Sequence, residues 1–383
     1  MLELALHGDR RYWLWIATLT IPIGAAAAML ALQLTHGLTI TAMARDMPWG
    51  FYIAQLTFLV GVAASAVVVV LPYHLHDVEE FGRLTIFGEF LAIPAVILAM
   101  LFVLVDMGQP ARVVNLFLHP SPRSPIFWDS VALMGYLLLN LVIGWKTLQI
   151  ERYGIEPPRW LRPMVLLAIP WAISIHTVTA FLYCGLVARP FWLSAVLTPR
   201  FLASAFAAGP ALLILLSLLL RRLTGYDPGD RALFKLAKIM GYAMLANVFL
   251  IALEIFTSFY SGSPEHITPW VFLFWSLDGT VSPVVPFMWL SAGLAIAAVA
   301  LILKGRTYER VGRLVPLAVL IVVSIWLDKG AGMMTGGLNP SPLGGTTLYF
   351  PSLVEITMGV GLYALGALIL TVLYKIAVSV KTA

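Results

Sequence analysis

Long apolar stretches separated by short polar segments dominate the pattern of this chain. A helix needs about 20 apolar residues to cross a bilayer core of roughly 30 Å, and ten stretches qualify as membrane spans. The predicted spans are Tyr12–Leu32, Trp49–Leu71, Leu84–Val105, Phe127–Trp145, Leu161–Cys184, Arg200–Leu220, Leu236–Thr257, Val284–Leu303, Leu314–Leu327 and Glu355–Ile376. A further apolar run, Pro269–Leu277, is too short to cross and is predicted to be re-entrant or interfacial.

The composition places the chain among membrane proteins. Hydrophobic residues make up 60% of the chain, charged residues make up 11%, and the mean hydropathy is +0.92. These values exclude a soluble domain, so the predicted fold class is an all-α polytopic membrane protein. Arg10 and Arg11 precede the first span as they would precede a signal peptide, but its apolar stretch of about 20 residues exceeds the 7 to 15 of a signal-peptide core. The first span is therefore predicted to be retained.

Lys and Arg are distributed unevenly between the two sides of the predicted topology. With ten spans both termini lie on one side, and the segments on that side carry 18 of the 24 Lys and Arg residues, against 6 on the other. Because cytoplasmic loops are enriched in Lys and Arg, both termini are predicted to be cytoplasmic. The protein is predicted to lie in a bacterial inner membrane, where membrane lipids surround it. The net charge of +5 then reflects topology, and no nucleic-acid partner is expected.

Ionisable groups inside the spans are the main candidates for function. A charge at the bilayer centre costs roughly 2.5 to 3.5 kcal/mol on insertion scales, so such groups are retained mostly where they serve a purpose. The predicted orientation places seven of them toward the outer ends of their spans. This outer layer consists of Asp106, Asp129, His176, Arg200, Glu254, Asp328 and Lys329.

The outer layer is suited to a quinol head group, since charged groups at one depth neutralise each other and hydrogen-bond a polar ligand. A quinol loses two protons on oxidation, and a base such as His176 with carboxylates such as Asp106, Asp129 or Glu254 would receive them. Its isoprenoid tail would lie against apolar side chains. The predicted cofactor is therefore a quinone, either menaquinone or ubiquinone.

A structural role for the same groups is the alternative interpretation. Asp106 would then pair with Arg112, and Arg200 would cap a helix. Asp328 and Lys329 would face interfacial water at the end of the ninth span. A functional role is favoured for His176 and Glu254, and a structural role is favoured for Arg200, Asp328 and Lys329.

Glu89 stands apart, near the cytoplasmic end of the third span. It is interpreted either as the mouth of a proton path or as a side chain that snorkels to the near interface. Three further polar residues within spans, Gln55, Asn140 and Asn247, are expected to form interhelical hydrogen bonds.

Small residues in the second and tenth spans predict close helix packing, because they let helix backbones approach. They are Gly61, Ala64 and Ser65 in the second span and Gly359, Gly361 and Gly366 in the tenth.

The sequence lacks the residue sets that several redox cofactors require. Cys184 is the single cysteine, so no cysteine set for an iron-sulfur cluster exists. Of the seven histidines only His176 lies well within a predicted span, which disfavours a bis-histidine haem. The glycine-rich segment from Gly330 to Gly345 lacks a strand-to-helix context for phosphate binding and is predicted to be an outer loop. A quinol subunit without its own redox centre must pass electrons to a partner.

Four motifs in order along the chain resemble the NrfD/PsrC family of membrane subunits from polysulfide, nitrite and sulfur-oxidoreductase complexes. They are WGFYIAQLTFLVGVAASA at Trp49–Ala66, DMGQPAR at Asp106–Arg112, SPIFWD at Ser124–Asp129 and SIHTVTA at Ser174–Ala180. The resemblance covers most of the chain. Within the family it is greatest to the DsrP branch, the ten-span subunits of Dsr-type complexes in sulfur-metabolising bacteria.

The resemblance implies two four-helix bundles, spans two to five and six to nine, with one further helix at each end. It also implies quinone binding near the outer face, beside a periplasmic iron-sulfur subunit that would dock at the DMGQPAR loop. Asp106, Arg112, Asp129 and His176 match the family motifs. Arg200, Glu254 and the candidate proton-path residue Glu89 depend on the burial argument alone.

The sequence therefore predicts a quinone-interacting subunit that exchanges electrons with a periplasmic iron-sulfur subunit, together with the other subunits of a Dsr-type complex in sulfur metabolism. Proton translocation is left open. A secondary transporter or ion-translocating subunit is the first alternative, and a structural anchor is the second. The predicted domains are 1–48 (first span and outer loop), 49–190 (first bundle), 191–330 (second bundle) and 331–383 (outer loop and last span).

Overall fold

The computed structural model of the chain describes residues 3–76, 78–277 and 279–382. Ten of its helical segments are long and apolar enough to cross a membrane. Within the described ranges, β-structure is confined to a two-stranded antiparallel hairpin that pairs Ser276–Leu277 with Thr280–Val281. The prediction of an all-α polytopic membrane protein with about ten spans is confirmed.

We number the spans 1 to 10 in chain order. Eight of them are single helices: span 1 is Arg10–His36, span 3 Thr85–Asp106, span 4 Pro125–Tyr153, span 5 Leu161–Cys184, span 6 Leu197–Thr224, span 7 Asp230–Ser261, span 8 Val285–Leu303 and span 10 Leu353–Lys381. Span 2 consists of two α-helices, Phe51–Ala63 and Ser65–Leu75. Span 9 consists of an α-helix at Leu314–Ile325, a π-helix at Trp326–Gly332 and a final α-helix at Met333–Leu338.

Short helices lie before span 1 and in the connections between spans. Three are α-helices, at Glu3–Leu6, Asn115–Leu118 and Pro264–Phe274. Five are 3₁₀-helices, at Gly37–Ile40, Glu79–Arg83, Pro110–Val114, Arg306–Glu309 and Val311–Arg313. The 11-residue helix Pro264–Phe274 is about 16 Å long at 1.5 Å per residue, which confirms that the apolar run predicted at Pro269–Leu277 does not cross.

Local signals set several span ends. Asp9 accepts a hydrogen bond from the Tyr12 amide at the start of span 1. Ser352 and Glu355 form a capping box at the start of span 10, so two otherwise unpaired backbone donors are satisfied. Gly154 and Gly225 take left-handed backbone conformations just after spans 4 and 6, where a residue with a side chain would be strained.

The spans between the chain ends form two rings of four helices. Spans 2, 3, 4 and 5 pack in sequence and close through contacts between spans 2 and 5, and spans 6, 7, 8 and 9 close in the same way through spans 6 and 9. The two rings meet where span 2 packs on spans 6 and 9, and where span 5 packs on span 6. Span 2 is consequently buried on all sides, which explains its uniformly apolar sequence.

Spans 1 and 10 pack against each other and, through span 10, against span 3. Close approach depends on glycine. A Cβ built at Gly361 would lie 2.2 Å from the Ala26 Cβ and 2.5 Å from the Pro22 carbonyl oxygen of span 1, and one built at Gly366 would lie 2.4 Å from Leu98 of span 3. The prediction that small residues of the tenth span allow close packing is confirmed.

Both chain ends lie on one face of the molecule, which we call the terminal face; the other end of the spans is the opposite face. At the terminal face, Lys381 near the end of span 10 forms a 2.8 Å ion pair with Glu151 near the end of span 4. The predicted cytoplasmic location corresponds to the terminal face, and the predicted outer layer corresponds to the opposite half.

Two spans are interrupted where the rings meet. The helix of span 2 breaks at Ala64, and the break is enclosed by glycines: a Cβ at Gly209 of span 6 would lie 2.9 Å from the Ser65 amide nitrogen, and one at Gly88 of span 3 would lie 2.9 Å from the Ser65 carbonyl oxygen. Span 9 contains the π-helix, which packs against span 2. Irregular backbone at this depth is tolerated because neighbouring helices cover it.

The predicted end of the ninth span at Leu327 is wrong, because helix continues to Leu338. The glycines that suggested a loop are sites where bulky side chains touch the helix backbone. A Cβ would lie 2.5 Å from Met288 if built at Gly332, and 1.9 Å from Trp192 if built at Gly337. The connection to span 10 therefore comprises only residues 339–352, and Asp328 and Lys329 lie within the span.

Replacing Gly361 by Ala is expected to lower the stability of the protein by about 1 to 3 kcal/mol, because the added methyl group would overlap the backbone of span 1. The matched control is Gly293→Ala in span 8, where a Cβ meets nothing within 4 Å. The measurement is the thermal unfolding midpoint of each purified variant in detergent. Equal midpoints for the two variants would show that spans 1 and 10 are not held at this distance.

Candidate functional site

Arg200 joins three spans in the half of the molecule next to the opposite face. Its Nη2 lies 2.8 Å from Oδ1 and 2.7 Å from Oδ2 of Asp328 in span 9, and its Nη1 donates to Glu254 Oε2 in span 7. The planar guanidinium suits this double contact. Two structural alternatives are therefore wrong: Arg200 does not act as a helix cap, and Asp328 does not face interfacial water.

Lys329 follows Asp328 in the π-helix and is only 3% exposed. Its Nζ lies 4.1 Å from the centre of the Phe201 ring and 3.5 Å from the Phe201 carbonyl oxygen. Among the described residues, no carboxylate lies within ion-pair distance of this ammonium group. The expectation that Lys329 faces interfacial water is wrong, because the helix extends past it and buries it.

We call Arg200, Glu254, Asp328 and Lys329 together the Arg200 cluster. When all four groups are ionised, two positive and two negative charges cancel. Removing a charge from water is costly, and mutual attraction repays that cost only when each charge is compensated. The cluster is therefore balanced as a unit, although Lys329 makes no direct ion pair.

Two consecutive residues of the π-helix, Asp328 and Lys329, reach different partners. A π-helical turn is wider than an α-helical one and occurs frequently at functional sites. Asp328 contacts the Arg200 guanidinium, whereas Lys329 contacts the ring and carbonyl of the next residue, Phe201. On the other side of Lys329, its Nζ lies 3.4 Å from where a Cβ at Gly61 of span 2 would be.

A polar stripe on span 5 faces the interior of the first ring. His176, Thr179 and Tyr183 follow each other at intervals of three and four residues, which places them on one side of a helix. Thr179 donates to Asp129 Oδ1 at 2.6 Å, and the Tyr183 hydroxyl lies 2.5 Å from Thr57 Oγ1. The depth of residues along the spans predicted Asp129 and His176 as candidates. It gave no signal for Thr179, which lies one helical turn after His176 and donates to Asp129.

His176 has one satisfied and one unsatisfied ring nitrogen. Its Nδ1 lies 2.6 Å from the Ala172 carbonyl oxygen, so Nδ1 carries the proton that is donated there. Its Nε2 is buried and has no hydrogen-bond partner in the described residues. In the neutral ring this leaves a free acceptor inside the protein.

Asp106 and Arg112 do not pair, so that structural alternative is also wrong. Asp106 ends span 3, and its Oδ1 is buried without a partner among the described residues. Arg112 is exposed on the 3₁₀-helix Pro110–Val114. The structure does not bring these two groups to the Arg200 cluster, and their part in quinone binding stays a prediction.

Glu355 is a fully buried carboxylate that the predicted outer layer omits. It accepts hydrogen bonds from the Tyr349 hydroxyl at 2.5 Å and from the amides of Ala42 and Ser352 at 2.9 Å each. Burial, together with the neighbouring Glu355 charge, raises the pKa of Tyr349, so the phenol remains a proton donor. The role of Glu355 is structural, because it joins two loops of the opposite face to span 10.

Glu89 lies in the other half, toward the terminal face. Its side chain is buried, and Oε2 has no partner within the described part of the chain. A Cβ built at Gly144 of span 4 would lie 3.3 Å from this oxygen. The carboxyl group is therefore enclosed between helices, which disfavours snorkelling.

The other polar residues within spans differ in their partners. Gln55 accepts hydrogen bonds from Trp326 Nε1 at 2.8 Å and from the Tyr363 hydroxyl at 2.7 Å, so the predicted interhelical bonding is confirmed for this residue. Asn140 instead donates to Tyr136 of its own helix. Asn247 Oδ1 is buried without a partner among the described residues.

One cavity opens beside the Arg200 cluster. Its volume is about 250 Å³, slightly below the range of about 300 to 1,000 Å³ for small-molecule sites. It lies between the loop before span 6, the last turns of span 7 and the helix Pro264–Phe274. Its lining includes Phe191, Ser194, Glu254, Thr257, His266 and Trp270.

Glu254 and His266 thus face the same cavity, a pairing that hydropathy could not reveal because His266 lies outside the spans. The residues of the first ring, Asp129 and His176, do not line it. A second cavity of about 370 Å³, next to Val142 and Trp145 in the other half of the molecule, is almost entirely apolar. Within the described residues, no group of three or more His, Cys, Asp or Glu is arranged to hold a metal ion.

Ten spans that carry buried, mutually compensated charges define a polytopic integral membrane protein. The family described as "Polysulphide reductase, NrfD" matches residues 39–334, and the chain belongs to this family. Proteins of this family are membrane subunits of reductase complexes. The family resemblance predicted from the four motifs is confirmed.

Curated relatives carry related descriptions. A putative dimethyl sulfoxide reductase membrane subunit of Halobacterium salinarum is 28% identical, with 94% of this chain and 89% of the relative aligned. An Hdr-like menaquinol oxidoreductase integral membrane subunit of Archaeoglobus fulgidus is 22% identical over 66% of this chain and 64% of its own length. A selenate reductase subunit of Mesobacillus selenatarsenatis is 23% identical over 49% of this chain and 52% of its own.

Replacing Arg200 by Gln is expected to destabilise the protein by about 3 to 5 kcal/mol, because two buried carboxylates would lose their counter-charge. Arg221→Gln is the matched control, since Arg221 also bridges two carboxylates, Asp227 and Asp230, but at an exposed site. The control is expected to cost less than about 1 kcal/mol. Thermal unfolding of both variants checks the difference, and similar losses would contradict the charge balance of the cluster.

Proposed function

We propose that this chain is the quinone-exchanging membrane subunit of a multi-subunit oxidoreductase complex, and that a quinol head group binds in the cavity beside Glu254. The observation that carries this proposal is the cavity itself, which places a carboxylate and an imidazole next to a buried arginine. The cavity has space for a ring-sized head group, and the isoprenoid tail would extend along the apolar surface outside.

The chemistry of the lining residues fits quinol oxidation. Each quinol releases two protons and two electrons. Glu254 and His266 are groups able to accept those protons, and the guanidinium of Arg200 holds the Glu254 carboxylate in place through a charge-assisted hydrogen bond. Glu254 is thereby oriented toward a substrate while its charge stays compensated.

The electrons must leave through a partner, because the chain has one cysteine and no cysteine set for a cluster. A periplasmic iron-sulfur subunit docked on the opposite face, near the loop that carries Asp106 and Arg112, would receive them. Asp129 and His176 belong to spans 4 and 5 of the first ring, the ring that also carries this loop.

The described relatives support a quinone partner. One is named as a menaquinol oxidoreductase subunit and others as subunits of reductases for dimethyl sulfoxide and selenate. Menaquinone is accordingly the first candidate, with ubiquinone second. Assembly into a Dsr-type complex of sulfur metabolism is the narrower form of the proposal, and the excess of Lys and Arg at the terminal face supports a cytoplasmic location of both termini in the inner membrane.

Filling the cavity should weaken quinol binding. We expect Thr257→Phe and Glu254→Gln each to weaken binding of a fluorescence-quenching quinol analogue at least tenfold, which is about 1.4 kcal/mol. Val142→Phe, in the apolar cavity of the other half, is the matched control and should leave binding unchanged. No saturable binding to the wild-type chain in membranes with its partner subunits would contradict the proposal.

We also propose that Glu89 lies on a proton path that opens at the terminal face. Its unpartnered oxygen is enclosed between spans 3 and 4, and the Glu151–Lys381 pair lies toward that face. A buried carboxyl group without fixed partners is free to take up and release a proton.

Glu89→Gln keeps the shape of the side chain but removes its proton exchange. In sealed vesicles we expect this change to abolish quinol-driven proton uptake at the terminal face, while quinol oxidation continues when an uncoupler is present. The control is Asp230→Asn, at an exposed ion pair of the same face. Unchanged proton uptake in Glu89→Gln would remove Glu89 from any path.

An ion-translocating subunit without quinone chemistry is the second candidate. The interruptions of spans 2 and 9, which face each other, favour it, since broken helices line the substrate sites of many transporters. The binding experiment separates the two functions, because this alternative expects no quinol analogue to bind.

A further inference from the structure

A groove on the outer surface of the first ring has no part in the quinol chemistry described above. It is the cavity of about 370 Å³ in the half of the molecule next to the terminal face. Its walls are almost entirely apolar, and they are formed by Leu141, Val142, Trp145 and Lys146 of span 4 and by Trp160 at the start of span 5. Leu141, Val142 and Trp160 are exposed, so the groove opens toward the surrounding lipid.

Lys146 gives this apolar groove a charged end. It lies seven residues, about 10 Å, before the end of span 4 at the terminal face. Its Nζ lies 3.2 Å from Gln149 Oε1, one turn nearer to that face. The aliphatic stem therefore lines the groove while the ammonium group reaches toward the membrane surface, as in a lysine that snorkels. The other end of the groove is formed by Leu141 and Val142.

Two arginines add positive charge at the same end. Arg159 and Arg162 flank Trp160 in sequence, and both are exposed. Within the described residues, neither arginine forms an ion pair, and Lys146 forms none either. The charged end of the groove therefore carries three uncompensated cations.

The carboxylates of this region do not neutralise those cations. Glu151 of span 4 is already paired with Lys381 at 2.8 Å. Glu156 is exposed in the connection between spans 4 and 5 and forms no ion pair among the described residues. A single free carboxylate against three cations leaves this end of the groove positive.

The indole N–H groups of the groove are free donors. Trp15 and Trp128 are as exposed as Trp160, at 46 to 48%, yet each donates a hydrogen bond to another residue of the protein. Trp145 and Trp160 donate to no group in the part of the chain that the structure describes. Tryptophan is common at membrane interfaces without any ligand, so the groove and the unpaired cations are the independent observations that indicate a site.

These features match an anionic phospholipid better than the other molecules that a membrane offers. Basic pockets between transmembrane helices on the cytoplasmic side bind anionic lipid head groups, and the proposed orientation makes the terminal face cytoplasmic. A second copy of the chain would place the same patch on both sides of a two-fold contact and would bring like charges together. A quinone is neutral and would leave the cations uncompensated.

We propose that this groove binds one anionic phospholipid of the leaflet at the terminal face. The phosphate accepts hydrogen bonds from the Lys146 ammonium and the Trp160 indole, and the two flanking arginines compensate its charge. One acyl chain lies along Leu141 and Val142. The proposal uses the proposed orientation of the termini but does not depend on quinol binding.

Stabilisation of the purified full-length chain by added lipid is the first test, because a ligand that binds the folded state raises the thermal unfolding midpoint. In detergent, phosphatidylglycerol is expected to raise the midpoint in a saturable way, and phosphatidylcholine to raise it far less at the same concentration. Equal effects of the two lipids would overturn the proposal.

Variants of the groove locate the effect. Lys146→Gln is expected to raise the phosphatidylglycerol concentration for half of the effect about fivefold, the loss of one cation near the membrane surface. Val142→Phe fills the groove and is expected to abolish the effect. The matched controls are Lys238→Gln, an exposed unpaired cation at similar depth in span 7, and Val360→Phe, an exposed valine of span 10. Wild-type behaviour of both groove variants would overturn the proposal.

Menaquinone separates this groove from the quinol cavity. Any stabilisation by menaquinone is expected to be unchanged in Val142→Phe, because the proposed quinol site lies in the other half of the molecule. Loss of the menaquinone effect in Val142→Phe would assign the groove to a quinone and overturn the lipid site. Failure of menaquinone to stabilise the wild type would count against the proposed function and leave the phosphatidylglycerol result as it stands.

Brominated acyl chains test the site without relying on stability, since bromine quenches the fluorescence of nearby indoles. In vesicles of phosphatidylcholine that hold the full chain, brominated phosphatidylglycerol is expected to quench more than brominated phosphatidylcholine at an equal share. This excess should disappear when Trp145→Phe and Trp160→Phe are combined. Trp275→Phe, an exposed indole of the opposite face, is the control and should keep the excess. An excess that survives the double change would remove the lipid from this groove.

Discussion

Compensation of charge inside the spans is the constraint on which the second ring depends. Arg200 holds spans 6, 7 and 9 together through two carboxylates, and it does so at a depth where water does not compensate a lost partner. The position of Glu254 at the cavity follows from this contact. The π-helix of span 9 takes part in the same cluster, since it supplies Asp328 to the guanidinium and Lys329 to the Phe201 ring. Structure and candidate chemistry therefore share the same residues.

Hydropathy was sufficient to find the ten spans, whereas their grouping into two rings was expected only from the family resemblance. The ten spans are found because each presents a long apolar stretch, and even the uniformly apolar span 2 is explained once both rings surround it. The ninth span shows the limit of that reasoning. Its glycines resemble a loop when they are considered alone, and only the side chains of Met288 and Trp192, distant in sequence, show that they belong to a packed helix.

The sequence predicted several residues of the candidate site, but it did not predict which of them lie together in the structure. Depth along the spans placed Asp106, Asp129, His176 and Glu254 in one half of the molecule, because length and direction fix depth. Lateral position depends on which helices are neighbours, and the structure separates these groups between two rings. His266 could not be found from depth, since it lies outside the spans and its importance comes from a cavity wall. Glu355 begins the predicted tenth span at its outer end, but its importance comes from a loop contact that depth does not show.

Spans 1 and 10 pack against each other at the edge of the first ring. The family match covers residues 39–334, which contains the two rings and omits both of these helices. Their closest contact, through the glycine surface of span 10 against Pro22 and Ala26, is with each other. The two helices therefore lie outside the residues that the family match covers, yet both are fastened to the first ring. Gly366 of span 10 approaches Leu98 of span 3, and the Tyr52 hydroxyl of span 2 donates to Gln33 of span 1. The outer pair thus extends the buried surface of the first ring and leaves the second ring uncovered on that side.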